Sequence, residues 1–208
     1  MAYFPFMMDI RDKDCLVVGG GAVAYRKVLD LVQFDARVTV EAPAFCDAIM
    51  NLSDVEVITK KYETDDISGR FLVIAATDDA QLNRDIAKDC DTRQILVNAV
   101  DMKESCSFIF PAILKQDELV VSISTGGCSP AGAAYLKSKI KDAIPNEYAK
   151  NLELLGDYRD EIKNNIPEPE LRKKLYYDLL ELADREQRIL RDADILEYMN
   201  TIKKIGGM

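Results

Sequence analysis

The sequence predicts an α/β protein: a doubly wound parallel sheet, then a β-hairpin, then helices to the end of the chain. Three observations predict it. A short apolar run, Asp14–Val18, leads straight into Gly19, Gly20 and Gly21. A second apolar run, Ala36–Val40, meets the acid Glu41, 20 positions after the last of those glycines. Further apolar runs then alternate with amphipathic stretches as far as about Ser107, where the pattern changes. Strands alternating with helices at this spacing make a parallel sheet with helices on both faces.

Taken in order, Asp14–Val18 reads as the first strand. The stretch after the glycines puts Val23, Val28, Leu31 and Val32 on one side and Arg26, Lys27 and Asp30 on the other, an amphipathic helix. Ala36–Val40 is the second strand, Pro43–Met50 a short helix and Val55–Ile58 the third strand. Phe71–Ala76 is apolar throughout, as befits a strand covered on both faces. Thr77, Asp78 and Asp79 open a helix to about Cys90, with Leu82, Ile86 and Ala87 facing inward, and Ile95–Val100 is a further strand ending at Asp101.

Beyond Ser107, Phe108–Leu114 and Leu119–Ser124 are strand-like runs joined by Lys115–Glu118, a hairpin signal. Two strands alone cannot hide that much apolar surface, so they complete a sheet elsewhere or pair with another subunit. After Pro130 the chain reads as helices near 130–143, 146–164, 168–182 and 192–204, separated by Pro145, by Pro167 and Pro169, and by an Asp-rich turn. Three segments follow: a Rossmann-like nucleotide domain over 1–106, a dimerisation segment with an anion-binding loop over 107–143, and a helical domain over 144–208.

Composition narrows the function. Of the 208 residues, 48% are hydrophobic and 30% charged, the balance of a soluble globular chain. No apolar run reaches the roughly 18–20 residues of a membrane span. The segment Met1–Asp9 is short and lacks a basic lead, so it is not expected to be a signal peptide. A net charge of −9 disfavours nucleic acid as a partner. Five cysteines scattered without a paired spacing point to reduced thiols in the cytoplasm. The chain has no histidine, which removes histidine-based triads, histidine metal sites and the commonest general base.

Strand, glycine turn, helix, strand and acid together form a dinucleotide-binding unit. The glycines Gly19, Gly20 and Gly21 let backbone N–H groups approach a pyrophosphate, which the helix N-terminus at Ala22 and Val23 favours. Ala24 takes the third glycine position of the pattern, where helix packs on strand and only a small side chain is needed. The carboxylate of Glu41 can accept ribose hydroxyls and opposes a 2′-phosphate, which selects NAD over NADP.

Ligands of open parallel sheets bind outside the carboxyl ends of the strands. This brings Thr77, Asp78 and Asn98 toward the nicotinamide or its ribose. Asp79 reads as a helix N-cap in preference to a ligand. Asp101 is either a turn residue or a carboxylate placed beside a substrate. In the segment Ser124–Pro130, the glycines Gly126 and Gly127 and the hydroxyls of Ser124, Thr125 and Ser129 precede a helix start, an arrangement that serves as an anion site or as ordinary capping. Lys137, Lys139 and Lys141, with Arg26 and Lys27, form solvated faces or a local basic patch for an acidic substrate.

Six segments appear together in this order: Pro5–Asp9, Val17–Lys27, Ala75–Asp79, Asn98–Asp101, Ser107–Pro111 and Ser122–Pro130. In that order they resemble the precorrin-2 dehydrogenase/sirohydrochlorin ferrochelatase family of siroheme biosynthesis, in its stand-alone form. The likeness covers roughly the first 140 residues. Longer relatives continue into a uroporphyrinogen methyltransferase domain, so methylation is not expected of this chain. The resemblance implies NAD-dependent oxidation of precorrin-2 to sirohydrochlorin, with Fe²⁺ insertion at the same site in some members, and a homodimer formed through the middle segment. By position it implies that Gly19, Gly21, Ala22 and Val23 hold the pyrophosphate and that Pro43 and Ala44 lie along the adenosine. It places Asp101 at the reaction and Ser124, Thr125, Gly126 and Gly127 around the tetrapyrrole. No metal ligand is assigned. An NAD-binding regulatory module of the potassium-transport type, without catalysis, is the alternative; the Ser124–Pro130 segment and the helical tail argue against it.

Overall fold

The computed structural model describes residues 3–206. Met1 and Ala2 of the segment weighed as a leader, and Gly207 and Met208 of the predicted helical domain, lie outside them. The chain divides into two compact units between Phe110 and Pro111.

The first unit is a five-stranded, all-parallel sheet in the order β3-β2-β1-β4-β5. Its elements are β1 (Asp14–Val18), α1 (Ala22–Val32), β2 (Arg37–Ala42), α2 (Asp47–Met50), β3 (Val55–Thr59), β4 (Leu72–Ala75), α3 (Ala80–Thr92) and β5 (Leu96–Ala99). Successive side chains of a strand point to opposite faces, and β1 uses both. Cys15 and Val17 enter a core with Val28 and Leu31 of α1, whereas Leu16 and Val18 enter a second core with Ile86 and Cys90 of α3. Burial on both sides explains why β1 and β4 are apolar without alternation. This is the Rossmann-like doubly wound fold predicted above.

Register sets the site. Val18 pairs with Glu41 of β2 and with Ala75 of β4, so the carboxyl ends of the three central strands finish at one edge.

Local differences from expectation have identifiable causes. Glu41 lies within β2, because its backbone is paired on one side with Val18 and on the other with Ile58. The helix predicted over 43–50 shrinks to Asp47–Met50, since the chain before it is tied to the glycine turn by a hydrogen bond from Cys46 N–H to Gly20 O of 2.8 Å. The strand predicted from Phe108 begins only at Ala112. Phe108 and Phe110 instead pack against the first core, their ring centroids 5.3 Å apart.

The second unit opens with the antiparallel hairpin β6 (Ala112–Gln116) and β7 (Leu119–Ile123), a two-stranded sheet of its own. Its turn is made by Asp117 and Glu118, with Asp117 in the left-handed region at φ 50°. Five helices follow: α4 (Pro130–Ala143), α5 (Tyr148–Asp157), α6 (Arg159–Asn165), α7 (Pro169–Glu186) and α8 (Asp192–Gly206). The single helix predicted over 146–164 is two, broken at Tyr158. Leu155, Ile162, Leu175, Leu179, Ile195 and Ile202 form the helical core. Asp194, nearly buried, is held there by the guanidinium groups of Arg188 and Arg191 and by the Arg191 backbone N–H. All five cysteines are free thiols. Among the described residues no helix is long and apolar enough to cross a membrane.

Candidate dinucleotide crevice

The carboxyl edge of the sheet carries a cavity of about 930 Å³ within the first unit. It is lined by the glycine turn and the start of α1, by Glu41–Cys46, by Lys61 and Tyr62 after β3, by Ala76–Asp79, and by Val100 and Asp101.

The three glycines serve different ends. A Cβ on Gly19 would stand 2.2 Å from the Ala76 carbonyl oxygen, and one on Gly20 would stand 1.8 Å from that of Ala44. These two glycines let the turn pass between neighbouring strand ends; Gly19 also sits at φ 137°, a conformation side chains rarely adopt. Gly21 has nothing within 4 Å of its would-be Cβ. It is the N-cap of α1, which has no side-chain cap and no acidic residue in its first turn. The N–H groups of that first turn therefore face open space at the positive end of the helix dipole, an arrangement fit for a pyrophosphate.

Glu41 supplies the other signature. It is 2% exposed, and its Oε1 is buried without a hydrogen-bond partner. A buried carboxyl oxygen left unpaired is costly, so the position suits a donor from outside the chain, such as a ribose hydroxyl. Burial, and a hydrogen bond with the Asp66 carboxyl, push the Glu41 acid up to about 7. An open helix N-terminus and an unpaired carboxyl at the end of β2 are both what an adenine dinucleotide requires.

Of the predicted cofactor residues, Gly19, Gly20, Gly21, Ala22, Val23, Glu41, Pro43, Ala44, Thr77 and Asp78 line the crevice. Ala24 does not; it is fully buried in the core between helix and sheet. Asn98 is turned away as well, because its amide donates to Phe108 O at 3.0 Å and so fastens the segment after β5. Thr77 lies at the rim with its hydroxyl 2.7 Å from Asn83 Oδ1, and its backbone N–H donates to the same atom. Asp79 caps α3, accepting from the N–H groups of Gln81 and Leu82. Asp101 is exposed at the crevice edge with φ 59°, a left-handed turn position. Phe45, Cys46, Lys61, Tyr62 and Leu82 were not foreseen. The position of Lys61 and Tyr62 just after β3, at the same strand edge, was the available signal.

In the second unit the loop Ser124–Ser129 uses its own hydroxyls. Ser124 Oγ accepts from Gly126 N–H, Thr125 Oγ1 bonds both backbone groups of Ser129, and Ser129 Oγ caps α4 by accepting from Gly132 N–H. Gly126 and Gly127 take left-handed conformations at φ 62° and 84°. Of the basic residues, Lys27 is half-buried, 3.8 Å over the Phe110 ring and beside Asp30, rather than presented to an anion.

The NAD(P)-binding family model matches residues 6–112. The siroheme synthase of Thioalkalivibrio sulfidiphilus is 44% identical over 87% of this chain and 38% of its own length. That of Methylococcus capsulatus is 39% identical over 87% of this chain and 39% of its own, and that of Pseudoalteromonas atlantica 36% identical over 92% and 42%. The chain spans about two fifths of the length of these relatives. A solved structure described as SirC, precorrin-2 dehydrogenase, matches with a TM-score of 0.71 at 24% identity, covering 97% of this chain and all of that one, a likeness of fold. The chain belongs to the NAD(P)-binding family and is a relative of the siroheme synthases.

Proposed function

We propose that the chain is an NAD-dependent dehydrogenase that oxidises precorrin-2 to sirohydrochlorin in the cytoplasm. The cofactor half of this reading is carried by one observation, the unpartnered Oε1 of Glu41 beside the open N-terminus of α1. The substrate half is supported by the siroheme synthase relatives.

NAD⁺, when bound, supplies the hydride acceptor. The N–H groups at the start of α1 hold the pyrophosphate, Glu41 accepts from the adenosine ribose, and Pro43 and Ala44 flank the adenosine. Asp78 and Thr77 stand on the nicotinamide side. The substrate gives up a hydride and a proton, and Asp101 at the crevice edge takes that proton or holds the macrocycle while water takes it. The segment Ser124–Ser129, whose hydroxyls and the N–H groups of Gly126, Cys128 and Ser129 shape the loop, meets the substrate's carboxylates. Insertion of Fe²⁺ into the product, where it follows, draws its coordination from the macrocycle nitrogens, since the chain has no histidine to offer.

The test is turnover. Purified protein with NAD⁺ and enzymatically generated precorrin-2 should produce the absorbance of sirohydrochlorin. Asp101→Asn should lower that turnover roughly 10²-fold, the scale of a lost general base, with little change in NAD⁺ affinity. Undiminished turnover in a folded variant removes Asp101 from the reaction. Binding of NAD⁺ without any turnover supports a regulatory nucleotide module instead.

We further propose a homodimer formed through residues 107–125. The β6-β7 hairpin is a two-stranded sheet that no other strand among the described residues extends, and such a sheet is marginal unless another surface covers it. Sedimentation should give twice the 23.4 kDa chain mass; a single 23.4 kDa species at micromolar concentration contradicts it.

A further inference from the structure

At the β5 edge of the sheet no further strand pairs, among the described residues, with the outer side of β5. The chain that returns past it after the 3-10 turn Lys103–Ser105 satisfies that edge with side chains instead. Ser107 serves Val97: its backbone N–H donates to Val97 O at 2.9 Å, and its Oγ accepts from Val97 N–H at 2.7 Å. Cys106 serves Ala99 with its thiol alone. Its Sγ accepts from Ala99 N–H at 3.2 Å and donates to Ala99 O at 3.2 Å. A second acceptor, Met102 O, lies 3.3 Å from the same sulfur. Burial raises the Cys106 thiol above its ordinary value, so it keeps the one hydrogen that these two carbonyls share.

The residues that the thiol grips bracket Asp101. Ala99 to Met102 is a turn closed by Met102 N–H donating to Ala99 O at 3.2 Å, and Asp101 stands inside it at φ 59°. A residue with a side chain is disfavoured in that left-handed region and stays there only where its surroundings fix the backbone. On the sheet side, Val100 N–H holds to Ala75 O at 2.9 Å. On the outer side, the Cys106 thiol holds Ala99 and Met102. Asp101 is itself exposed at the crevice edge, so its backbone sets where the carboxylate stands.

We propose that Cys106 is a positioning residue for the reaction: its thiol ties both ends of the Asp101 turn together and so fixes the carboxylate at the edge of the crevice. The inference rests on the reading of Asp101 as the group that takes the proton or holds the macrocycle. Alanine at position 106 leaves Ala99 N–H without this acceptor and both carbonyls without this donor. Serine keeps a donor and an acceptor on a shorter bond, and so restores part of the clamp. The glycine turn and Glu41 stand at the ends of β1 and β2, away from this turn, so NAD⁺ binding is not the step affected.

The experiment is a double-mutant cycle on the full chain, with kcat for precorrin-2 and calorimetric NAD⁺ affinity as its two readouts. Cys106→Ala should lower kcat about tenfold, the consequence of a displaced reacting group, with NAD⁺ affinity unchanged. Cys106→Ser should recover most of that loss and stay within about threefold of the wild type. In the Asp101→Asn background neither substitution should lower kcat further, because a residue that acts through Asp101 then has nothing left to position. A thiol that served structure alone would reduce kcat by the same factor in both backgrounds. Wild-type kcat in Cys106→Ala, or equal losses in the two backgrounds, overturns the inference and leaves Asp101 in its role. If Cys106→Ala does not fold, the cycle built on Cys106→Ser decides in the same way: its loss must vanish in Asp101→Asn. Undiminished turnover in Asp101→Asn removes Asp101 from the reaction and overturns both.

Discussion

Each unit of the molecule contains a glycine-rich turn that leads from a strand into a helix, and the two turns end differently. At the start of α1, Gly21 offers no side chain, nothing caps the helix, and the space beside it is open. At the start of α4, Ser129 caps the helix with its own hydroxyl, Pro130 takes the first helical position, and Thr125 ties the loop to Ser129. The same contrast separates the buried carboxyls of the two units. Glu41 keeps an unpaired oxygen, whereas Asp194 accepts from two arginines and a backbone N–H and is held well below the usual carboxylate range. Polar groups that the chain itself has satisfied build structure; those it leaves unsatisfied in a cavity mark where a ligand supplies the missing partner.

Filling the first turn gives the largest expected effect and sharpens the contrast within the turn itself. Gly20→Ala drives a methyl group into the Ala44 carbonyl, so the strand ends must separate. A loss of about 3 kcal/mol or more is expected, together with NAD⁺ binding. Gly21→Ala meets no atom of the protein and should leave the unfolding midpoint nearly unchanged while weakening NAD⁺, because its methyl stands at the open helix end. Thermal unfolding and calorimetry on the pair separate the two roles. Equal destabilisation by both substitutions would erase the distinction between a turn shaped for packing and one shaped for a ligand.

Much of this was legible in the sequence. The periodicities of Asp14–Val18 and Phe71–Ala76 predict central strands because burial on both faces leaves no polar position. The interval from glycine to acid places Glu41 at the carboxyl end of β2, on the crevice wall, because the length of the βαβ unit is set by one helix. What the sequence leaves open is which polar groups find partners. Asn98 reads as a cofactor contact from its strand-end position, yet its amide is used to hold Phe108 O, a bond ten residues away in the chain that no local pattern reveals. The start of β6 shifted to Ala112 because Phe108 and Phe110 are drawn to the first core, a tertiary preference that overrides strand propensity.

The smallest expected effect tests the other side of the comparison. If the α4 turn is complete in itself, Ser129→Ala removes one cap hydrogen bond and should cost about 1 kcal/mol of stability, the usual value for a lost N-cap. Ser129→Asp restores an acceptor for the Gly132 N–H and adds a negative charge at the helix start, so it should recover the stability. The two variants part on substrate. Because the Ser129 hydroxyl is committed to the Gly132 N–H, a tetrapyrrole that meets this loop does not depend on it, and KM for precorrin-2 should change little in Ser129→Ala. The added charge of Ser129→Asp repels those carboxylates and should raise KM several-fold with kcat nearly unchanged. A large rise in KM from Ser129→Ala, with stability unaltered, would mean that the hydroxyl leaves the helix to bind the substrate. The α4 turn would then be as unfinished as the α1 turn, and the comparison between the two units would fail at that residue.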